Sequence, residues 1–108
     1  MDERSEEVEK QLFTYEEAAA LLPEVQRLTA VAVEEVEQLG ESEEMMEQYQ
    51  AIVGRWAESS IRMGIEVKGL WLIDFDSGSG YYCWQWPEPG LQFFHGYEEG
   101  FRGRIQLT

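Results

Sequence analysis

The chain is poor in the residues that build most recognisable sites. It has one cysteine, one histidine and three prolines in 108 residues. A single cysteine excludes an intrachain disulfide and fits a reducing compartment. A single histidine rules out any paired-histidine metal motif, and no Cys-x-x-Cys is present. Bases are scarce as well: 8 Lys and Arg stand against 22 Asp and Glu. The resulting charge of −14 repels phosphate, so neither nucleic acid nor an anionic membrane surface is an expected partner. The same field favours cations or a basic protein partner. No apolar run approaches the roughly 18 residues of a membrane span. The first residues, Met1-Asp2-Glu3-Arg4, lack the basic start and apolar core of a secretory signal. The expectation is therefore a cytoplasmic protein.

The chain is well supplied with apolar residues (44%) and aromatics (13%), which are values of a globular chain. Its charge is uneven. Residues 1–47 carry 15 acids and 3 bases, whereas residues 48–108 carry 7 and 5. Residues 1–11 read as a flexible acidic tail, and 12–108 as one domain. Thr14 and Glu17 have capping-box spacing, with Phe13 before them and Glu16 and Glu17 in an electropositive first turn. From there Ala18, Leu22, Val25, Thr29, Ala32, Val36 and Leu39 recur at steps of 4 and 3, a helical stripe interrupted only by Thr29. Pro23 is expected to kink the early turns, and Gly40 to end the helix. Ser42 is the expected cap of a second helix reaching Met63, with the stripe Met45, Tyr49, Ile52, Trp56, Ser59 and Met63. Gly54 in its middle offers a place for another backbone to approach. The helical hairpin thus covers about 14–63.

Residues of about 67–107 are β-rich. One strand from Lys68 to Phe75 and a second from Tyr81 to Trp86 flank the break Asp76-Ser77-Gly78-Ser79-Gly80. Alternation places Trp71, Ile73 and Phe75 on one face, and Leu70, Leu72 and Asp74 on the other. Tyr82, Trp84 and Trp86 share a face of the second strand. Both faces read as largely apolar, so one should cover the helices and the other should meet something else. After the turn Pro87-Glu88-Pro89-Gly90, Leu91–His95 reads as a third strand and Phe101–Leu107 as a tail or edge strand. The expected fold is α+β, an antiparallel two-helix hairpin packed on a three- to four-stranded antiparallel sheet.

Several spaced blocks also carry a resemblance. They are Phe13-Thr14 with Glu17-Ala18 and Leu21-Leu22-Pro23, Lys68-Gly69-Leu70 with Asp74-Phe75, Cys83-Trp84 with Glu88-Pro89, Phe94-His95, and Gly100-Phe101 with Gly103-Arg104. Over residues 12–107 the chain resembles a small bacterial family, domain of unknown function 2203. The resemblance implies a small cytoplasmic bacterial protein and supplies no catalytic residues.

Candidate chemistry centres on His95, the one side chain that ordinarily titrates near neutrality. His95 with Asp74 and one or more of Glu88, Glu98 and Glu17 could hold a divalent metal or serve a small hydrolase. The competing structural reading has His95 bonded to a carboxylate or carbonyl and Asp74 anchoring a turn, or paired with Arg102 or Arg104. Cys83 reads as a small strand hydrophobe, with a Cys83–His95 dyad as the reactive alternative. The aromatic set reads as core and oligomer interface, or else as a clamp for a small molecule. The leading expectation is a non-enzymatic, homodimeric interaction or scaffold module. The alternative is the metal-binding protein or small hydrolase, with a divalent metal as its implied cofactor.

Overall fold

A computed structural model describes residues 11–107. The expected acidic tail, at residues 1–10, lies outside the described residues; Gln11 does not, since its side chain lies over Gly64. Two helices, α1 (Tyr15–Glu37) and α2 (Met45–Arg62), precede five strands. These are β1 (Glu66–Gly69), β2 (Leu72–Asp76), β3 (Tyr81–Gln85), β4 (Phe93–His95) and β5 (Ile105–Gln106). The strands pair antiparallel in the order β1-β2-β3-β4-β5, so the fold is α+β with an open meander. The count of three or four strands is corrected to five. The expected first strand is in fact two. The chain turns back at Leu70 and Trp71, where Trp71 takes φ 57°, a left-handed conformation that bulky residues seldom adopt.

Helix α1 starts where its capping box requires. Glu17 N–H donates to Thr14 Oγ1, and Thr14 N–H donates to Glu17 Oε1, both at 3.0 Å. The helix continues through Pro23 as one element to Glu37, with Gln38 rather than Gly40 closing it. Helix α2 begins at Met45, not Ser42; the Ser42 hydroxyl accepts from Glu44 N–H in the turn before it. The α1 stripe is buried at Ala18, Leu22, Val25, Thr29 and Ala32. Thr29, the one polar member, has a partner. Its hydroxyl donates to Val25 O and accepts the Trp56 indole N–H at 2.8 Å, all of it buried. Thr29→Val would keep the shape and leave that N–H without an acceptor. The expected loss is about 1–3 kcal/mol in urea unfolding, and a loss near zero would show that the indole finds another acceptor.

The helices cover one face of the sheet. Ile73, Phe75 and Trp84 lie fully buried there, with Val67, Trp71, Tyr82 and Trp86 packed beside them. Ring contacts fix the docking. Phe13 meets Phe75 at 5.2 Å, and Trp56 meets Trp71 at 4.9 Å, both edge-on. Gly54 faces open space, so among the described residues no backbone approaches it. Gly54→Ala should therefore stabilise α2 by about 0.5–1 kcal/mol, read as a higher thermal midpoint.

The second sheet face departs from expectation. It is not apolar. The alternation that buries Ile73 and Phe75 inward turns Asp74 and Asp76 outward, and Tyr81, Cys83 and His95 join them. All but Tyr81 are nevertheless buried, because the segment following β4 folds back beside them.

Candidate functional site

The hairpin register places the site. Asp74 of β2 lies opposite Cys83 of β3, and His95 of β4 lies opposite Tyr81 of β3. Three neighbouring strands thus deliver a carboxylate, a thiol and an imidazole to one patch. Their donor atoms all lie within 4.8 Å of one another. Each residue is at most 5% exposed. A cavity of about 210 Å3 opens on the three, walled by Lys68, Leu72, Tyr97, Glu98, Glu99 and Phe101 among others.

The hydrogen bonds constrain protonation. His95 Nδ1 lies 2.8 Å from Gly96 O, which can only accept, so Nδ1 carries a proton. Nε2 lies 3.0 Å from Asp74 Oδ2. In a neutral ring that places a lone pair against a carboxylate. The contact therefore needs a proton shared between the two groups, or a metal ion between them. Asp74 is loaded unevenly. Oδ2 also accepts from Lys68 Nζ at 3.0 Å, whereas Oδ1 is buried and reached by no N–H or O–H donor, with the Cys83 thiol as a further hydrogen-bonding neighbour of the carboxylate. An orphaned buried carboxylate oxygen is costly and calls for a ligand or a role.

Lys68 is tied into the patch. Its ammonium lies 3.6 Å from Glu66 and 3.8 Å above the Tyr81 ring. Burial pulls its pKa down, but the hydrogen bond and charge of Asp74 outweigh that and hold it above its ordinary value. Burial, and then the Asp74 carboxylate, push the Cys83 thiol up to about 12, against the lowering effect of Arg104. Such a thiol is no nucleophile at neutral pH. Both ring nitrogens of His95 are also committed, so the Cys83–His95 dyad has no base to offer. The thiol has a consequence for stability. A group whose folded pKa stands above its ordinary 9.0 contributes stability that is intact below pH 9 and lost as pH rises through about 12. In metal-free protein, thermal midpoints should fall between pH 8 and 10.5, and by less in Cys83→Ala.

The sequence-derived candidates separate. His95 and Asp74 come together, and Glu98 stands on the cavity wall. Glu17 belongs to the α1 capping box. Glu88 is held by Arg104 at 3.1 and 2.8 Å. The expected pairing of Asp74 with Arg102 or Arg104 is thereby overturned: Asp74 pairs with Lys68 and His95, because Arg104 lies on the far side of Cys83 against Glu88. Sequence reading placed Cys83 beside His95 only as a dyad, not among the metal ligands, and missed Lys68. The signal was available. Pairing Asp76 with Tyr81 around a Gly78–Ser79 centre sets Asp74 opposite Cys83, on the face Tyr82 and Trp84 leave.

A family model described as "Uncharacterized conserved protein (DUF2203)" matches residues 34–107. The chain belongs to the DUF2203 family. The matched stretch takes in all of α2 and all five strands, and so every donor of the DUF2203 patch. No curated protein and no solved structure matches the chain. The family description carries no chemistry, so the functional reading of this DUF2203 member rests on the geometry above.

Proposed function

We propose that the protein binds one divalent transition-metal ion, zinc by preference, through Asp74, Cys83 and His95. The observation that carries this is the convergence of three different donors within 4.8 Å around a buried carboxylate with one oxygen that no N–H or O–H donor reaches. Two donors on one tetrahedral ion with bonds of about 2.0 Å stand about 3.3 Å apart. The 3.0 Å between Nε2 and Oδ2 is close to that edge, and an ion there would share Oδ2 with Lys68 while Oδ1 stands on the same carboxylate as its second oxygen. The Gly96 carbonyl on Nδ1 is the kind of partner that metal-bound imidazoles use to fix the ring and leave Nε2 to the ion. A mixed S, N, O set suits zinc or cobalt and poorly suits magnesium or calcium, which take oxygen.

The test is metal analysis of tag-free protein prepared without chelator, followed by zinc titration. Near-stoichiometric zinc is expected in the wild type. Asp74→Ala, Cys83→Ala and His95→Ala should each weaken it about 100-fold, with circular dichroism checking that each variant folds. Wild-type protein that neither carries nor takes up zinc at micromolar concentration would overturn the proposal.

A second reading concerns assembly. Val31, Met46 and Ile61 are large apolar side chains exposed on the helices, which favours a homodimer formed through the helical layer. A single monomeric species in sedimentation at tens of micromolar would end that reading.

A further inference from the structure

Resting on the metal reading, we infer that the ion keeps one exchangeable coordination position, open to the cavity and served by Lys68, where a small carboxylate or similar oxygen donor binds. Among the described residues, the donor cluster contains three side chains and no fourth. Zinc with three protein ligands completes its shell with water or substrate, whereas closed structural sites supply four. The space for that ligand exists. The cavity of about 210 Å3 is bounded by all three donors and far exceeds the about 15 Å3 that one water requires.

The walls specify the ligand. Lys68 contacts the ligand carboxylate Asp74 at 3.0 Å and lines the same cavity, with its side chain 35% exposed. An ammonium has three protons, and Asp74 takes one. Leu72, Tyr97 and Phe101 add apolar wall, which fits a short carbon tail. A divalent ion is neutralised by the Asp74 carboxylate and the Cys83 thiolate, and Glu66 at 3.6 Å offsets the Lys68 charge, so Lys68 serves an incoming oxygen donor through its ammonium protons rather than through surplus charge. Three other acids face this region. Glu66 is engaged by Lys68 and by the Tyr81 hydroxyl at 3.1 Å. Glu99 accepts from Gly96 N–H at 2.9 Å. Glu98 stands exposed on the wall. They disfavour multiply charged anions, so a singly charged ligand of few atoms is the class that fits.

The experiment loads the full chain with cobalt(II) and follows its visible spectrum while acetate, and separately neutral imidazole, is added. Both probes should shift the spectrum of the wild type. Lys68→Met should weaken acetate at least about tenfold and leave imidazole within about twofold. A cobalt spectrum of tetrahedral type that neither probe alters would mean a closed site, overturning the inference while the metal reading stands. Equal acetate affinity in Lys68→Met would remove Lys68 from the ligand's binding. Failure of cobalt to bind at all would instead overturn the metal reading beneath it.

Discussion

Arg104→Met should lower the free energy of unfolding by about 2–4 kcal/mol. The guanidinium is held from every side. Its centre lies 3.9 Å from the Phe93 ring centroid and 4.0 Å from that of Phe101. Both terminal nitrogens reach the Glu88 carboxylate, at 3.1 and 2.8 Å. The side chains of the pair are only 12% and 19% exposed, so solvent screens them far less than a surface pair. Methionine would keep much of the packing between the rings and remove the charge. Glu88 would then be a mostly buried carboxylate with the Gln85 N–H as its remaining donor. Urea unfolding checks this. Glu88→Gln should cost less, since its amide oxygen can still accept from Gln85. A loss below about 1 kcal/mol for Arg104→Met would class the contact with ordinary surface ion pairs.

Trp84→Ala should cost more, about 3–5 kcal/mol. Trp84 is fully buried, at the centre of the sheet face that the helices cover. Its ring meets Trp86 edge-on at 6.4 Å, and its indole N–H donates to Glu88 O at 2.8 Å. Truncation would therefore open a cavity in the core and leave the Glu88 carbonyl with the longer 3.5 Å bond from Gln26 Nε2. Trp84→Phe retains most of the volume and should lose roughly half as much, through the missing indole hydrogen bond and the smaller ring. A Trp84→Ala protein within 2 kcal/mol of wild type would mean that the helices settle into the gap.

The helical half was legible because its signals are local. The capping box at Thr14 and Glu17 and the stripe from Ala18 to Val36 each depend on spacing alone, and both appear where the spacing puts them, with Leu39 falling past the helix end. Even Thr29, which looked like a defect in the stripe, becomes intelligible once Trp56 is across from it. The sheet was less legible where strand boundaries depend on one residue's backbone. Nothing in Gly69-Leu70-Trp71-Leu72 announces that Trp71 will turn left-handed, so β1 and β2 read as one strand. Of the site, His95 and Asp74 could be named from chemistry. Cys83 could be paired with His95 only as a dyad, and Lys68 not at all, since their places beside Asp74 depend on hairpin register and on the unexpected β1. Glu17 and Glu88 look alike as acids in sequence and differ only in what they bind, a helix N-terminus and a guanidinium.

An open meander leaves two borders. A border strand presents unsatisfied peptide groups that can recruit a strand from another molecule. Here each border is short and irregular. β1 has four residues, a shift of register between Val67 and Gly69, and a lysine near its end. β5 has two residues, after which Leu107 N–H donates back to Gln92 O. A strand arriving at either side would gain few hydrogen bonds before the ladder ran out. Fibril-like stacking and sheet-to-sheet fusion are thus poorly templated in this protein, despite its wealth of β-forming aromatic residues.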